Sequence, residues 1–173
     1  FGESPYKNWP SYDVVAQAMG GIIGITGPDK NTPTKVGPGV GDIFSGLMMS
    51  FGIISALRIA EKTSKGQFID LSMYDAVLSL CERIIYQYDF DNSIPKPEGN
   101  GHPLLVPFGI YKSKDGHIAL GIVDNSFWKI LTNIIGNKEL VDNRKYETIE
   151  SRQNNAKSLN SIVESWTITK TNK

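Results

Sequence analysis

Cysteine occurs once in this chain, at Cys81, and histidine only at His102 and His117. A lone thiol excludes an internal disulfide and fits a reducing compartment, so a cytoplasmic protein is expected. Three such residues, so widely spaced, make no zinc-binding pattern, and no metal is expected. Net charge is lacking too, because 18 basic residues balance 18 acidic ones. A chain without a basic excess is not built to grip a polyanion such as nucleic acid. Long hydrophobic runs are scarce: no uncharged stretch exceeds 15 residues, the length of the apolar run from Ile43 to Leu57. That is short of the roughly 20 needed to span a bilayer, so it reads as a core helix. An initiating methionine is missing as well. The chain opens mid-domain in FGESPYKNWP and stops in TITKTNK without visible closure, so an internal piece of a longer protein is expected.

What is present is an ordinary globular chain of 173 residues, 40% hydrophobic and 21% charged, with no internal repeat. Ser11 stands before YDVVAQAMGGIIGI as an N-cap, and the Gly20–Gly21 pair permits close packing or a break. TGPDKNTPTKVGPGVG (26–41) reads as loop. From Asp42 to about Lys62 the pattern predicts the strongest helix, with acid at its start and Arg58, Lys62 and Lys65 toward its end. QFIDLS (67–72) alternates like a short strand, and one helix is expected over 73–90. After the loop 91–105, FGIYKSKDGHIALGI reads as a hairpin about Lys114-Asp115-Gly116. NSFWKILTNIIG (125–136) is a capped helix with Phe127, Trp128 and Ile130 on its packing face. A polar connection then leads to an amphipathic helix at 149–166, and KYETIESRQNNAKSL reads as solvated surface. Cys81 reads as a buried small hydrophobe.

Asp42 is the residue with two meanings. It follows a glycine-rich approach and precedes an apolar helix in VGPGVGDIFSGLMMSFG. A carboxylate there can cap the helix by accepting first-turn N–H groups. The same place suits a carboxylate nucleophile, because the helix terminus favours negative charge and its N–H groups could steady an oxyanion. Gly37, Gly39, Gly41 and Gly46 would leave room for a bulky substrate. Spacing alone does not choose between the two.

The wider pattern does. SYDVVAQAMGGIIGITG and VGPGVGDIFSGLMMSFGIISALRIAEKTSKGQFIDLSMYDAVLSL, followed by GNGHPLLVPFGIYKSKDGHIALGI, resemble the class III CoA-transferase family. That family includes formyl-CoA and dicarboxylate CoA-transferases and the α-methylacyl-CoA racemases. The resemblance extends over essentially the whole chain, which looks like the middle part of such a protein.

The resemblance implies an α/β fold, α+β within this segment, with long helices followed by a smaller domain bearing a hairpin. Residues 1–90 would belong to the large coenzyme A-binding and catalytic domain, 91–105 to a linker or active-site loop, and 106–173 to an incomplete small domain. Asp42, preceded by Gly41, would be the nucleophile that forms an aspartyl anhydride and then an aspartyl-CoA thioester. Ser11, Tyr12 and Asp13 would lie against coenzyme A, which enters as the acyl-CoA substrate together with a carboxylic acid. On their own, Tyr12 and Asp13 are a first-turn aromatic and a dipole-favourable acid. Racemases carry histidine where Tyr12 stands, and a phenol with a pKa near 10 is a poor base, so transfer is favoured over racemisation. Gln17 is either solvent-facing or a contact in the coenzyme cleft. Gly99, Asn100, Gly101 and His102 resemble, loosely, a loop that closes over the intermediate, although an ordinary surface loop fits them equally. Interlocked homodimers are implied for the whole protein, so the isolated segment should associate through unpartnered apolar faces and turn nothing over alone.

Overall fold

A computed structural model describes residues 1–137, 140 and 142–172. The polar connection expected after Gly136 falls partly on Lys138, Glu139 and Val141, outside the described residues. The chain divides into two compact units, Phe1–Gly99 and Asn100–Lys173.

The first unit is helical: α1 (Asp13–Met19), α2 (Ile22–Ile25), α3 (Val40–Thr63), α4 (Met73–Ser79) and α5 (Glu82–Asp91). The glycine pair does two jobs. Gly20 ends α1 so close to α4 that a Cβ would stand 2.6 Å from Val77 Cγ1, and Gly21 turns the chain in the left-handed region at φ 90°. Ser72 caps α4 by accepting the Asp75 N–H. The single helix expected at 73–90 is broken at Leu80–Cys81, where the Leu80 and Cys81 amides tighten onto carbonyls three residues back. Cys81 is buried at that break, and burial pushes its thiol pKa up, with the Glu82 charge adding to the effect. The strand expected at 67–72 does not form. Among the described residues no strand pairs with it, and Phe68 is 91% exposed; alternation without a partner leaves an extended loop.

α3 is not a core helix of these residues. It lies against α1 and α4, yet only Gly41 and Ser45 are buried among its 24 residues. Ile43, Leu47, Phe51, Ile54 and Leu57 are all more than half exposed. α1 and α4, with seven residues each, are too short to cover it. It also runs past Arg58 to Thr63, so by length and composition alone it could cross a membrane, against the expectation from its uncharged stretch.

The second unit has a proper core. β1 (Phe108–Ser113) and β2 (Gly116–Gly121) pair antiparallel from Phe108 opposite Gly121 to Ser113 opposite Gly116. Three helices follow: α6 (Asn125–Ile135), α7 (Ile149–Asn154) and α8 (Ala156–Thr167). Asp124 caps α6 through the Ser126 and Phe127 N–H groups, and Gly136 ends it in the left-handed region. The buried face of α6 is Trp128, Leu131 and Thr132; Phe127 and Ile130 lie on the other stripe and are exposed, correcting the expected packing face. The helix expected at 149–166 is two, separated at Asn155. KYETIESRQNNAKSL is no mere solvated surface, because Tyr146, Arg152 and Leu159 within it are buried.

Tyr111 gives this core a pH signature. Its hydroxyl donates to Asn160 Oδ1 at 2.7 Å, and burial raises its pKa from 10.0 to about 12. Between those values the unfolded chain releases the phenolic proton and the folded chain keeps it. Stability therefore falls as pH rises through that window, by roughly 2 kcal/mol at its upper end. Urea unfolding of the full-length protein at stepped alkaline pH should show this loss, and Tyr111→Phe should remove it.

Candidate active site

Asp42 does not cap α3. The helix starts two residues earlier, with Gly39 as N-cap and no side-chain cap from that residue, so Asp42 occupies the third helical position. Its side chain is exposed. Acid in the first turn complements the macrodipole without being consumed as a cap.

The capping is done from another helix. Asp13, in the first turn of α1, accepts the Gly41 N–H on Oδ1 at 2.8 Å. Its Oδ2 accepts the Gln17 side-chain N–H, also at 2.8 Å, and Gln17 Oε1 accepts the Val36 N–H at 2.9 Å. Gln17 is fully buried, so it is not solvent-facing. The result is a chain of three hydrogen bonds from the glycine-rich approach, through α1, to the amide immediately before Asp42. Each group has one possible polarity, because both backbone amides can only donate.

Glycine at 41 makes that approach possible. A Cβ there would lie 2.9 Å from the Asp13 carbonyl oxygen, 3.0 Å from Asp13 Oδ1 and 3.1 Å from Ala16 Cβ. Gly41 is therefore buried against α1 rather than leaving room for substrate, as the sequence suggests. Open space is found instead at Gly46, one turn beyond Asp42, and at Gly37, where a Cβ would meet nothing within 4 Å among the described residues. Ser45 is buried on the side of Gly41 and donates to the Gly41 carbonyl. Gly41→Ala should destabilise the full-length protein by about 1–3 kcal/mol through overpacking. Gly46→Ala should instead be the milder of the two, because among the described residues a Cβ there meets nothing within 4 Å. Chemical unfolding of the two variants checks the contrast.

The first unit thus brings together the α1 start (Ser11, Tyr12, Asp13) and the α3 start (Gly41, Asp42). Tyr12, not Ser11, is the N-cap of α1; its backbone is extended and the residue is 72% exposed. Ser11 Oγ is buried with no hydrogen-bond partner among the described residues. Gly99 donates its N–H to the Gly27 carbonyl within the first unit. Asn100, Gly101 and His102 belong to the second unit. There the Asn100 carbonyl accepts the Ile110 N–H at 3.2 Å, and an apolar hollow of about 400 Å³ lies between Asn100–Gly101 and the hairpin. His102 Nδ1 accepts from the Leu104 and Leu105 amides at 3.1 Å, and its ring lies tilted against Phe108. These two contacts tie the side chain into its own loop.

Sequence reasoning missed the role of Gln17 and the cross-helix use of Asp13. The available signal is D-x-x-x-Q, which puts a carboxylate and an amide one turn apart on one face.

A sequence profile now gives this geometry its context: that of CoA-transferase family III matches residues 1–173. The chain belongs to CoA-transferase family III. Within this family it is 39% identical over 166 residues to a succinyl-CoA:mesaconate CoA-transferase of Haloarcula marismortui, covering 96% of the chain and 41% of that relative. It is 33% identical to the human succinyl-CoA:glutarate CoA-transferase over 92% of the chain and 36% of the relative. A crystal structure of a CaiB/BaiF family protein from Brucella suis superposes with a TM-score of 0.79 at 30% identity, over 97% of the chain and 44% of that protein. The expected α+β segment of this fold is therefore the one found. The chain spans about two fifths of the length of the relatives it matches.

Proposed function

We propose that the protein carrying this segment moves coenzyme A from an acyl-CoA to a carboxylic acid, with Asp42 as nucleophile. The observation behind this reading is an exposed carboxylate in the first turn of a long helix whose preceding amide is pinned to a neighbouring helix. Succinyl-CoA and dicarboxylic acids are the substrate class, by likeness to relatives that act with mesaconate and glutarate.

The steps balance without redox chemistry. An Asp42 oxygen attacks the thioester carbonyl carbon, the C–S bond breaks, and coenzyme A leaves as thiolate, giving a mixed anhydride. The thiolate attacks the Asp42 carbonyl carbon and expels the donor acid, leaving an aspartyl-CoA thioester. The acceptor carboxylate attacks that thioester and releases the thiolate again. The thiolate then attacks the acceptor's carbonyl, forming the new acyl-CoA and freeing Asp42. Thioester is exchanged for thioester, so the task is speed and exclusion of water. Tyr12 supports transfer over racemisation because a phenol is a poor base at neutral pH. Ser11 and Tyr12 would face coenzyme A.

The bare faces of α3 support a further part of the reading: the rest of the polypeptide and a second subunit cover them, in an interlocked homodimer. Trapping tests the chemistry. Full-length protein treated with succinyl-CoA and then hydroxylamine or borohydride should carry the adduct on Asp42 by mass spectrometry. An adduct elsewhere, or none, sinks the reading.

A further inference from the structure

We propose that Asp13 is a positioning residue for Asp42, acting through the Gly41 amide rather than by touching coenzyme A. This rests on the reading of Asp42 as the nucleophile. Both Asp13 oxygens are already engaged, one by Gly41 N–H and the other by the Gln17 side chain. Asp13 gives its own helix no side-chain cap; α1 starts on Tyr12 without one. Its carboxylate serves α3 instead, and Gln17, fully buried and held in turn by the Val36 N–H, fixes its orientation. The two chain segments flanking the nucleophile, the approach at Val36 and the first turn at Gly41, are thereby tied to one rigid element. Backbone contact between Gly41 and Asp13 allows little sideways slack. A nucleophile on such a tether keeps its line of attack on the thioester carbon, and displacement by about 1 Å can cost on the order of 100-fold in rate.

The polarity of the relay supplies a sharp test. In Asp13→Asn, one amide oxygen can still accept from Gly41, but the new NH2 group then faces the Gln17 NH2 group. In the double variant Asp13→Asn/Gln17→Glu, the roles reverse. The carboxylate introduced at position 17 accepts both from the new amide at position 13 and from the Val36 N–H. All three hydrogen bonds return while the charge moves one turn along α1.

The experiment uses full-length protein and succinyl-CoA, reading the rate of hydroxylamine-trapped adduct on Asp42, with circular dichroism as the check on folding. Asp13→Asn should lower the maximal rate about 100-fold while half-saturation by succinyl-CoA moves less than about threefold; the double variant should recover to within about fivefold of wild type. If Asp13→Asn does not fold, a folded and active double variant still supports the assignment. The inference is overturned if Asp13→Asn labels Asp42 at the wild-type rate. It is also overturned if only succinyl-CoA affinity falls, which would mark a coenzyme contact, or if the double variant is slow or unfolded. Absence of any adduct on Asp42 in wild type removes the nucleophile reading, and this inference with it.

Discussion

Asp42→Asn in the full-length protein keeps the fold and loses transfer, with kcat lowered by on the order of 10⁴-fold. That loss corresponds to about 5 kcal/mol of transition-state stabilisation. The substitution is nearly isosteric, and the side chain is exposed and caps nothing, so folding stability should change by about 1 kcal/mol or less through the helix macrodipole. An amide cannot replace the carboxylate, because the anhydride requires a nucleophilic carboxylate oxygen and the aspartyl thioester requires that oxygen to leave with the donor acid. Two readouts separate chemistry from binding. Succinyl-CoA should still protect the variant from thermal unfolding, and release of free thiol on mixing should vanish. A variant that transfers coenzyme A at the wild-type rate would remove Asp42 from the mechanism. So would one that fails to fold, since it would make Asp42 structural.

The signals that read well are local. Caps and glycines mark α6 from Asp124 to Gly136, alternation about Lys114 and Asp115 marks the hairpin, and Gly20–Gly21 marks the end of α1. Each is decided within a few residues, where backbone preference and side-chain hydrogen bonding act directly. Breaks at Leu80–Cys81 and Asn155 carry no glycine or proline, and apolar spacing runs on through both. Alternation at 67–72 looks like a strand because periodicity says nothing about a partner. Asp42 is marked by its place after glycine and before a helix, while the residues holding that place are not. Asp13 and Gly41 are 28 positions apart in sequence, and only their meeting in space reveals the cap. α3 shows a related limit: uniform apolarity predicts burial somewhere, and this segment does not contain what buries it.

Arg152 is the other residue whose place composition concealed, and it makes Trp128 the most consequential side chain of the second unit. The guanidinium is 1% exposed and forms no ion pair among the described residues. It donates to the carbonyls of Tyr146 and Glu147 and to Asn125 Oδ1. Its remaining cover is the Trp128 ring, 5.3 Å from guanidinium carbon to ring centroid, with Tyr146 edge-on to the indole. Burial lowers the Arg152 pKa and the Asp124 charge opposes that shift, so the cation carries a desolvation cost that the indole face helps offset. Trp128→Ala should therefore cost about 3–5 kcal/mol, the large-aromatic loss together with the lost cation–π contact. Trp128→Phe keeps an aromatic face and sacrifices no hydrogen bond among the described residues, where the indole N–H has no partner. Its cost should be only about 1–2 kcal/mol. Hydrogen exchange of α6 and α8 amides in the full-length protein measures both losses, without interference from unfolding elsewhere. Equal acceleration in the two variants would mean that indole bulk, rather than the aromatic face over Arg152, holds this core. An alanine variant within about 1 kcal/mol of wild type would mean that neither does.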